Sequence, residues 1–237
     1  MSGWSAKRFW NAAGVEACEE GFTVKLDGRG VKTPAKAALV LPTRAMAEAV
    51  AAEWQAQGEK IDPTTMPVTR SANAALDKVR AQQAEVAELV AAYGETDLLC
   101  YRAKTPEELV TQQAAAWDRW LDWAERRYQA RLIVTAGVLP VAQPEQAQRA
   151  LAERVAACDI WELAALHDLV GITGSLVLGL AVAEGEIAAE DAWRLSRIDE
   201  DWQIAQWGAD EEAAEMAALK REALIHAGRF WILRHTA

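Results

Sequence analysis

The spacing of the apolar residues changes once along the chain, and that change limits the fold more than any other feature. Phe22, Val24 and Leu26 alternate with Thr23 and Lys25, the two-residue period of a strand with one face buried. Asp27-Gly28-Arg29-Gly30 follows, where glycine permits the positive φ of a tight hairpin turn. Val31 and Thr33 resume the alternation until Pro34 ends it, and Leu39-Val40-Leu41 reads as one more short strand. From Thr43 onward the period is that of a helix. Met46, Val50 and Trp54 recur every four residues, which places all three, Trp54 included, in the core, and Gly58 is the expected stop.

Residues 58–67 hold two prolines and little periodicity, so the boundary is placed there. The expectation is an α+β protein: a small antiparallel β-rich N-terminal domain with one helix over 1–66, then a larger all-helical bundle over 67–237.

Within that bundle Ala72, Ala75, Leu76 and Val79 form one helical stripe, and Val86, Leu89, Val90 and Tyr93 another. Thr105-Pro106-Glu107-Glu108 predicts a helix start with Thr105 as cap and Glu108 closing a capping box. That helix would bury Leu109, Gln113, Trp117, Trp120 and Trp123. Ile172 to Ala183 reads as a buried core helix capped by Thr173. The last helix is expected to open at Asp210-Glu211-Glu212 and to bury Met216, Leu219, Ala223, His226, Phe230 and Leu233. Periodicity leaves Thr96 to Ala103 and Leu132 to Val141 open between strand and helix.

Composition excludes several roles. The 237 residues carry a net charge of −10, which repels phosphate backbones and argues against nucleic-acid binding. No apolar run approaches the roughly 18 residues that span a bilayer, and the first twenty residues lack a signal-like apolar core, so a cytoplasmic protein without membrane insertion is expected. Cys18, Cys100 and Cys158 are far apart and read as buried, reduced thiols. Gly174-Ser175 lacks the GxSxG elbow, no HExxH or Cys/His ligand pair is present, and Gly28-Arg29-Gly30 lies in a hairpin, not a phosphate loop. No catalytic residue, metal, cofactor or small-molecule substrate is expected.

Eleven tryptophans against six Phe and Tyr are the unusual feature. Most fit core stripes. Trp202 and Trp207 are separated by about 140° around a helix and cannot share one core, so this segment is the candidate for an exposed aromatic surface.

Leu26-Asp27-Gly28-Arg29 with Lys32-Thr33-Pro34, Glu53-Trp54-Gln55-Ala56-Gln57, and Met66-Pro67-Val68-Thr69-Arg70 leading to Asp77 occur in a set order. Thr96 to Arg102, Gln113 to Asp118, Thr173 to Leu176, and Glu200-Asp201-Trp202-Gln203 with Trp207-Gly208 continue it. In this order and spacing the chain resembles the assembly chaperone family that handles the α subunit of the F₁ sector of F-type ATP synthase. The resemblance implies a non-enzymatic protein that binds the unassembled α subunit, prevents its aggregation and is released as the hexamer forms. It also implies that Glu200 acts in partner binding. With the two tryptophans, the expected partner-binding set is Glu200, Asp201, Trp202, Gln203 and Trp207. The rival readings are an enzyme with clustered carboxylates in a helical cleft and an unrelated helical scaffold.

Overall fold

The computed structural model describes residues 7–137 and 139–236, and among these the chain divides into two compact units. One takes residues 7–83, 160–165 and 229–236; the other takes the remainder.

The first unit is built on strand β2 (Gly21–Leu26). β1 (Ala13–Cys18) pairs with it from Ala13↔Leu26 to Cys18↔Gly21, while β3 (Arg29–Gly30) and β4 (Val40–Leu41) share its other edge, all antiparallel. Gly21 adopts φ 139°, and a Cβ there would lie 2.3 Å from the Leu41 carbonyl oxygen, so β4 reaches β2 only past a glycine. Val24 and Leu26 are buried beneath α1 (Arg44–Gln55), as the alternation implies. Thr43 caps α1 by accepting the Met46 N–H, and its hydroxyl donates to the Leu233 carbonyl at 2.7 Å. Met46 and Val50 are in the core, whereas Trp54 is only half-buried and packs edge-on against Trp10 at 5.2 Å.

Helix α2 (Pro67–Asp77) is capped from another helix. Its own cap residue, Met66, has no side-chain acceptor, and Glu53 of α1 supplies one, accepting the N–H groups of Val68 (2.7 Å) and Thr69 (2.8 Å) and the Thr69 hydroxyl (2.7 Å). Glu53→Ala therefore strips an N-terminal cap and an interhelical tie together. Thermal or urea unfolding is expected to register a loss of about 2 kcal/mol, with Glu53→Gln falling between. A value for the alanine variant within error of wild type would show that solvent replaces the cap.

The second unit is helical. α3 (Gln83–Ala91), α4 (Glu107–Tyr128), α5 (Glu145–Ala156), α6 (Ile160–Thr173), α7 (Leu176–Ala183), α8 (Ala189–Ser196), α9 (Ile198–Trp207) and α10 (Glu211–His235) follow in order. α6 and α10 each lend residues to both units. Two-residue strands β5 (Tyr101–Arg102) and β6 (Thr135–Ala136) pair in parallel within the segments that periodicity left open. α7 is apolar on every side and is the unit's buried centre, with α4 and α8 packed on it. α4 buries Leu109, Gln113, Trp117, Trp120 and Trp123, the five residues its spacing selects.

The architecture is α+β, but several local expectations fail. The cap position of α4 is the extended Pro106, not Thr105, and no side-chain bond forms there. The apolar run from Ile172 breaks at Gly174, and α7 is capped by Ser175; Thr173 closes the preceding helix by donating to the Leu169 carbonyl. Cys18 is exposed because it sits at the end of edge strand β1, while Cys100 and Cys158 are buried. Met216, Leu219 and Ala223 are exposed, since the core side of α10 begins only at Leu224 and continues through Ala227 and Phe230. Leu89 is likewise exposed, and Ala87 and Val90 carry the buried face of α3.

Candidate functional site

All five residues of the expected partner-binding set lie on α9. Arg197 precedes it, Ile198 anchors its first turn in the core, and Gly208 ends it at φ 90°. Asp210 then starts α10 by accepting the Ala213 N–H at 2.8 Å. Asp199, Glu200 and Asp201 occupy the first turn of α9, where the positive end of the helix dipole favours carboxylates.

These three acids have separate tasks. Asp199 accepts from the Gln113 side-chain amide at 2.5 Å, and the Gln113 carbonyl oxygen accepts the Ala103 N–H at 2.8 Å, so α9 is pinned to α4. Asp201 lies 3.6 Å from the Arg197 guanidinium, which also stands 5.3 Å from the Trp193 ring. Glu200 is exposed, and its side chain makes no hydrogen bond or ion pair with any described residue. Gln203 is exposed, Trp202 is half-buried, and Trp207 is 80% exposed.

α9 is a ridge between two open grooves. One, of about 540 Å³, runs between α9 and the first half of α10; Glu200, Asp201 and Ile204 line it on one side, and Ala213, Ala214 and Ala217 on the other. The second, of about 380 Å³, is lined by Trp202 and Asp199 of α9 and by Tyr101, Pro106 and Leu109. Gln203 and Trp207 border both. Carboxylates, an exposed indole and an alanine wall make a surface that can take an apolar side chain and hold a cation beside it. Among the described residues, no group of three His, Cys, Asp or Glu side chains is placed to hold a metal ion, and no helix is long and apolar enough to cross a membrane.

Sequence reasoning missed Ile204, the alanine wall and Arg221, which closes the first groove and pairs with Glu190 at 2.8 Å. The four-residue repeat of Ala213-Ala214 and Ala217-Ala218 was the available signal, since it puts small residues along one helix face.

Comparison with known proteins sets the chain among chaperones. The family model described as the ATP12 chaperone protein matches residues 7–125. The chain belongs to the ATP12 chaperone family. It is similar to the crystal structure of Atp12 from Paracoccus denitrificans, 50% identical over 97% of this chain and 98% of that one, with a TM-score of 0.95. A solved structure from Agrobacterium tumefaciens is 44% identical over 96% of this chain and 85% of that one, TM-score 0.89. The mitochondrial protein atp12 of Schizosaccharomyces pombe is 22% identical over 90% of this chain and 77% of its own length. Membership of this family sets aside the reading as an unrelated helical scaffold.

Proposed function

We propose that the chain is a cytoplasmic, non-enzymatic chaperone that binds the unassembled α subunit of F₁-ATPase, prevents its aggregation and yields it to the assembling catalytic hexamer. The α9 ridge is the client-binding surface, with Trp207 as the apolar anchor, Trp202 and Gln203 beside it, and Glu200 and Asp201 as the charged edge. The observation that carries this reading is Trp207: a side chain this large and this exposed, bordered by two grooves, has the make-up of an interface hot spot. A subunit of an obligate hexamer exposes a broad apolar interface before assembly, and a chaperone needs anchors for it that the true partner can displace. The exposed Met216 and Leu219 of α10 add aliphatic surface to the same unit.

The test is light scattering of refolding α subunit with and without a stoichiometric amount of this protein, with β subunit as a control client. Suppression for α alone, with a complex recovered by gel filtration, is the expected result. Glu200 has no side-chain partner among the described residues, so Glu200→Lys should lower the melting temperature only slightly, by the cost of a cation in the first turn of α9. The same variant should weaken capture by about ten-fold or more. Equal suppression of α and β, or full capture by Glu200→Lys, overturns the assignment.

A further inference from the structure

Several segments that carry the family resemblance converge on one cleft of the first unit, well apart in sequence from α9. Its volume is about 530 Å³. Lys32-Thr33-Pro34, Trp54, Met66, Thr69-Arg70 and Asp77 all line it. Most polar side chains of these segments have plain structural duties. Glu53 and Thr69 are used up in the cap of α2, and one oxygen of Asp77 accepts the Ala35 N–H at 3.0 Å.

Three polar atoms of the cleft have no such duty. The indole Nε1 of Trp54, Oδ1 of Asn73 and the second carboxylate oxygen of Asp77 are all covered from solvent and make no hydrogen bond with the described residues. Covered, unpaired polar atoms are uncommon in folded proteins, and three around one cleft ask for a cause. Asn73 and Asp77 are four residues apart and so share one face of α2. Together the three offer one donor and two acceptors, the complement of a peptide group's carbonyl and N–H. The rim adds Lys32, Lys36, Arg70 and Lys78 against the single carboxylate of Asp77, a local excess of positive charge on a chain whose net charge is −10. Pro34, Ile61, Pro63 and Met66 supply an apolar floor.

We propose that this cleft is a second binding site, which takes an extended polypeptide segment bearing a carboxylate side chain next to an apolar one. The Trp54 indole donates to a backbone carbonyl of that segment, Asn73 and Asp77 accept its N–H groups, and Arg70 with Lys32 holds its carboxylate. A free phosphate or a nucleic acid fits poorly, because two of the three unpaired atoms are acceptors that repel it. Entry requires small rotations of the Trp54 and Asn73 side chains to bring these atoms to the ligand. The proposal does not depend on the reading of α9.

The experiment uses the full chain and fluorescein-labelled octapeptides: one alternating Glu with Leu, one alternating Lys with Leu, and one alternating Glu with Ser. Fluorescence anisotropy at low salt should give binding at least about ten-fold tighter for the Glu/Leu peptide than for either control. The Lys32→Glu/Arg70→Glu variant changes two exposed side chains and should abolish that preference, whereas Glu200→Lys should retain it. In ¹⁵N-labelled protein the Trp54 indole N–H resonance, assigned through Trp54→Phe, should move downfield as the Glu/Leu peptide is added. Equal binding of the three peptides, survival of the preference after charge reversal, a stationary indole resonance, or equal competition by inorganic phosphate would each overturn the proposal.

Discussion

Asp97→Ala is expected to remove about 4 kcal/mol of stability near neutral pH, a large part of what a protein of this size possesses. Asp97 is fully buried in the second unit and ties two segments together. Its carboxylate accepts the Leu99 N–H at 3.0 Å, the Ser175 hydroxyl at 2.8 Å and the Val177 N–H at 2.9 Å, so it serves the short turn after it and the first turn of α7 at once. The Leu98 N–H donates to the Gly174 carbonyl alongside. Truncation leaves three donors buried without an acceptor beside the most deeply buried helix. Asp97→Asn keeps one acceptor oxygen and turns an amide N–H₂ towards a donor, so it should lose roughly half as much.

The same residue predicts an unusual pH dependence. Burial pushes the Asp97 carboxyl up to about 6, against the hydrogen bonds from Val177, Leu99 and Ser175 that favour its ionised form. The folded state therefore holds this proton more tightly than the unfolded state. Asp97's contribution is largest below the unfolded value near 3.8, falls as pH rises towards 6, and is level above that. The gap in stability between wild type and Asp97→Ala should thus widen by about 1 kcal/mol from about pH 7 to about pH 5. Glu184 works in the opposite sense. Desolvation alone would raise its carboxyl, but hydrogen bonds from Tyr128 and Arg127, the Arg127 charge and a further bond from Arg154 hold it below the ordinary range, so its contribution fades as acid protonates it. Taking the wild-type-minus-variant difference cancels Glu184 and isolates Asp97. A gap that is flat or narrows on acidification would show that Asp97 is ionised throughout.

What could be read from the sequence was whatever repeats at fixed spacing. β2 and the α4 stripe follow from periods of two and 3.6, because each presents one face to a core. β1 was missed because Ala13-Gly14-Val15-Glu16-Ala17-Cys18 is mostly exposed and has almost no apolar alternation. The α10 stripe was misread for the converse reason: Met216 and Leu219 have core-like spacing but no element covers them, and periodicity does not say whether a face has a partner. Tertiary caps were also out of reach. Glu53 serves a helix that starts fourteen residues later, and Asp97 serves Ser175 and Val177 about eighty residues on. Trp202 and Trp207 stand out in the sequence because they cannot share one core, and Glu200 is singled out only by the family resemblance; the alanine wall does not stand out, since alanine also fills any helix. The segments carrying the family resemblance proved to be largely braces, as with Gln57, which donates to the Glu53 carbonyl and Thr65 and accepts the Asp62 N–H.

Trp117→Ala should match Asp97→Ala in stability and reach further into function. The indole is wholly buried, so its loss opens a large cavity, and truncation of such a side chain costs about 3–5 kcal/mol. Its N–H donates to the Leu195 carbonyl at 2.9 Å near the end of α8, three residues before α9 begins. The Arg102 guanidinium lies 5.2 Å from the ring and is itself fixed by Asp118 at 2.8 Å and by the Leu99 carbonyl. Trp117 thus holds the corner from which the α9 ridge projects, and Gln113, one turn earlier on α4, holds Asp199. Trp117→Phe separates volume from hydrogen bonding: it should lose about 1–2 kcal/mol, remain folded, and leave the Leu195 carbonyl without its donor. If that bond positions α9, amide hydrogen exchange over Ile198 to Gln203 should quicken in Trp117→Phe, and capture of the α subunit should weaken several-fold although Glu200 and Trp207 are intact. Exchange and capture both equal to wild type would assign Trp117 to packing alone. Faster exchange with undiminished capture would instead separate the rigidity of α9 from client binding and refute the positioning role of Trp117.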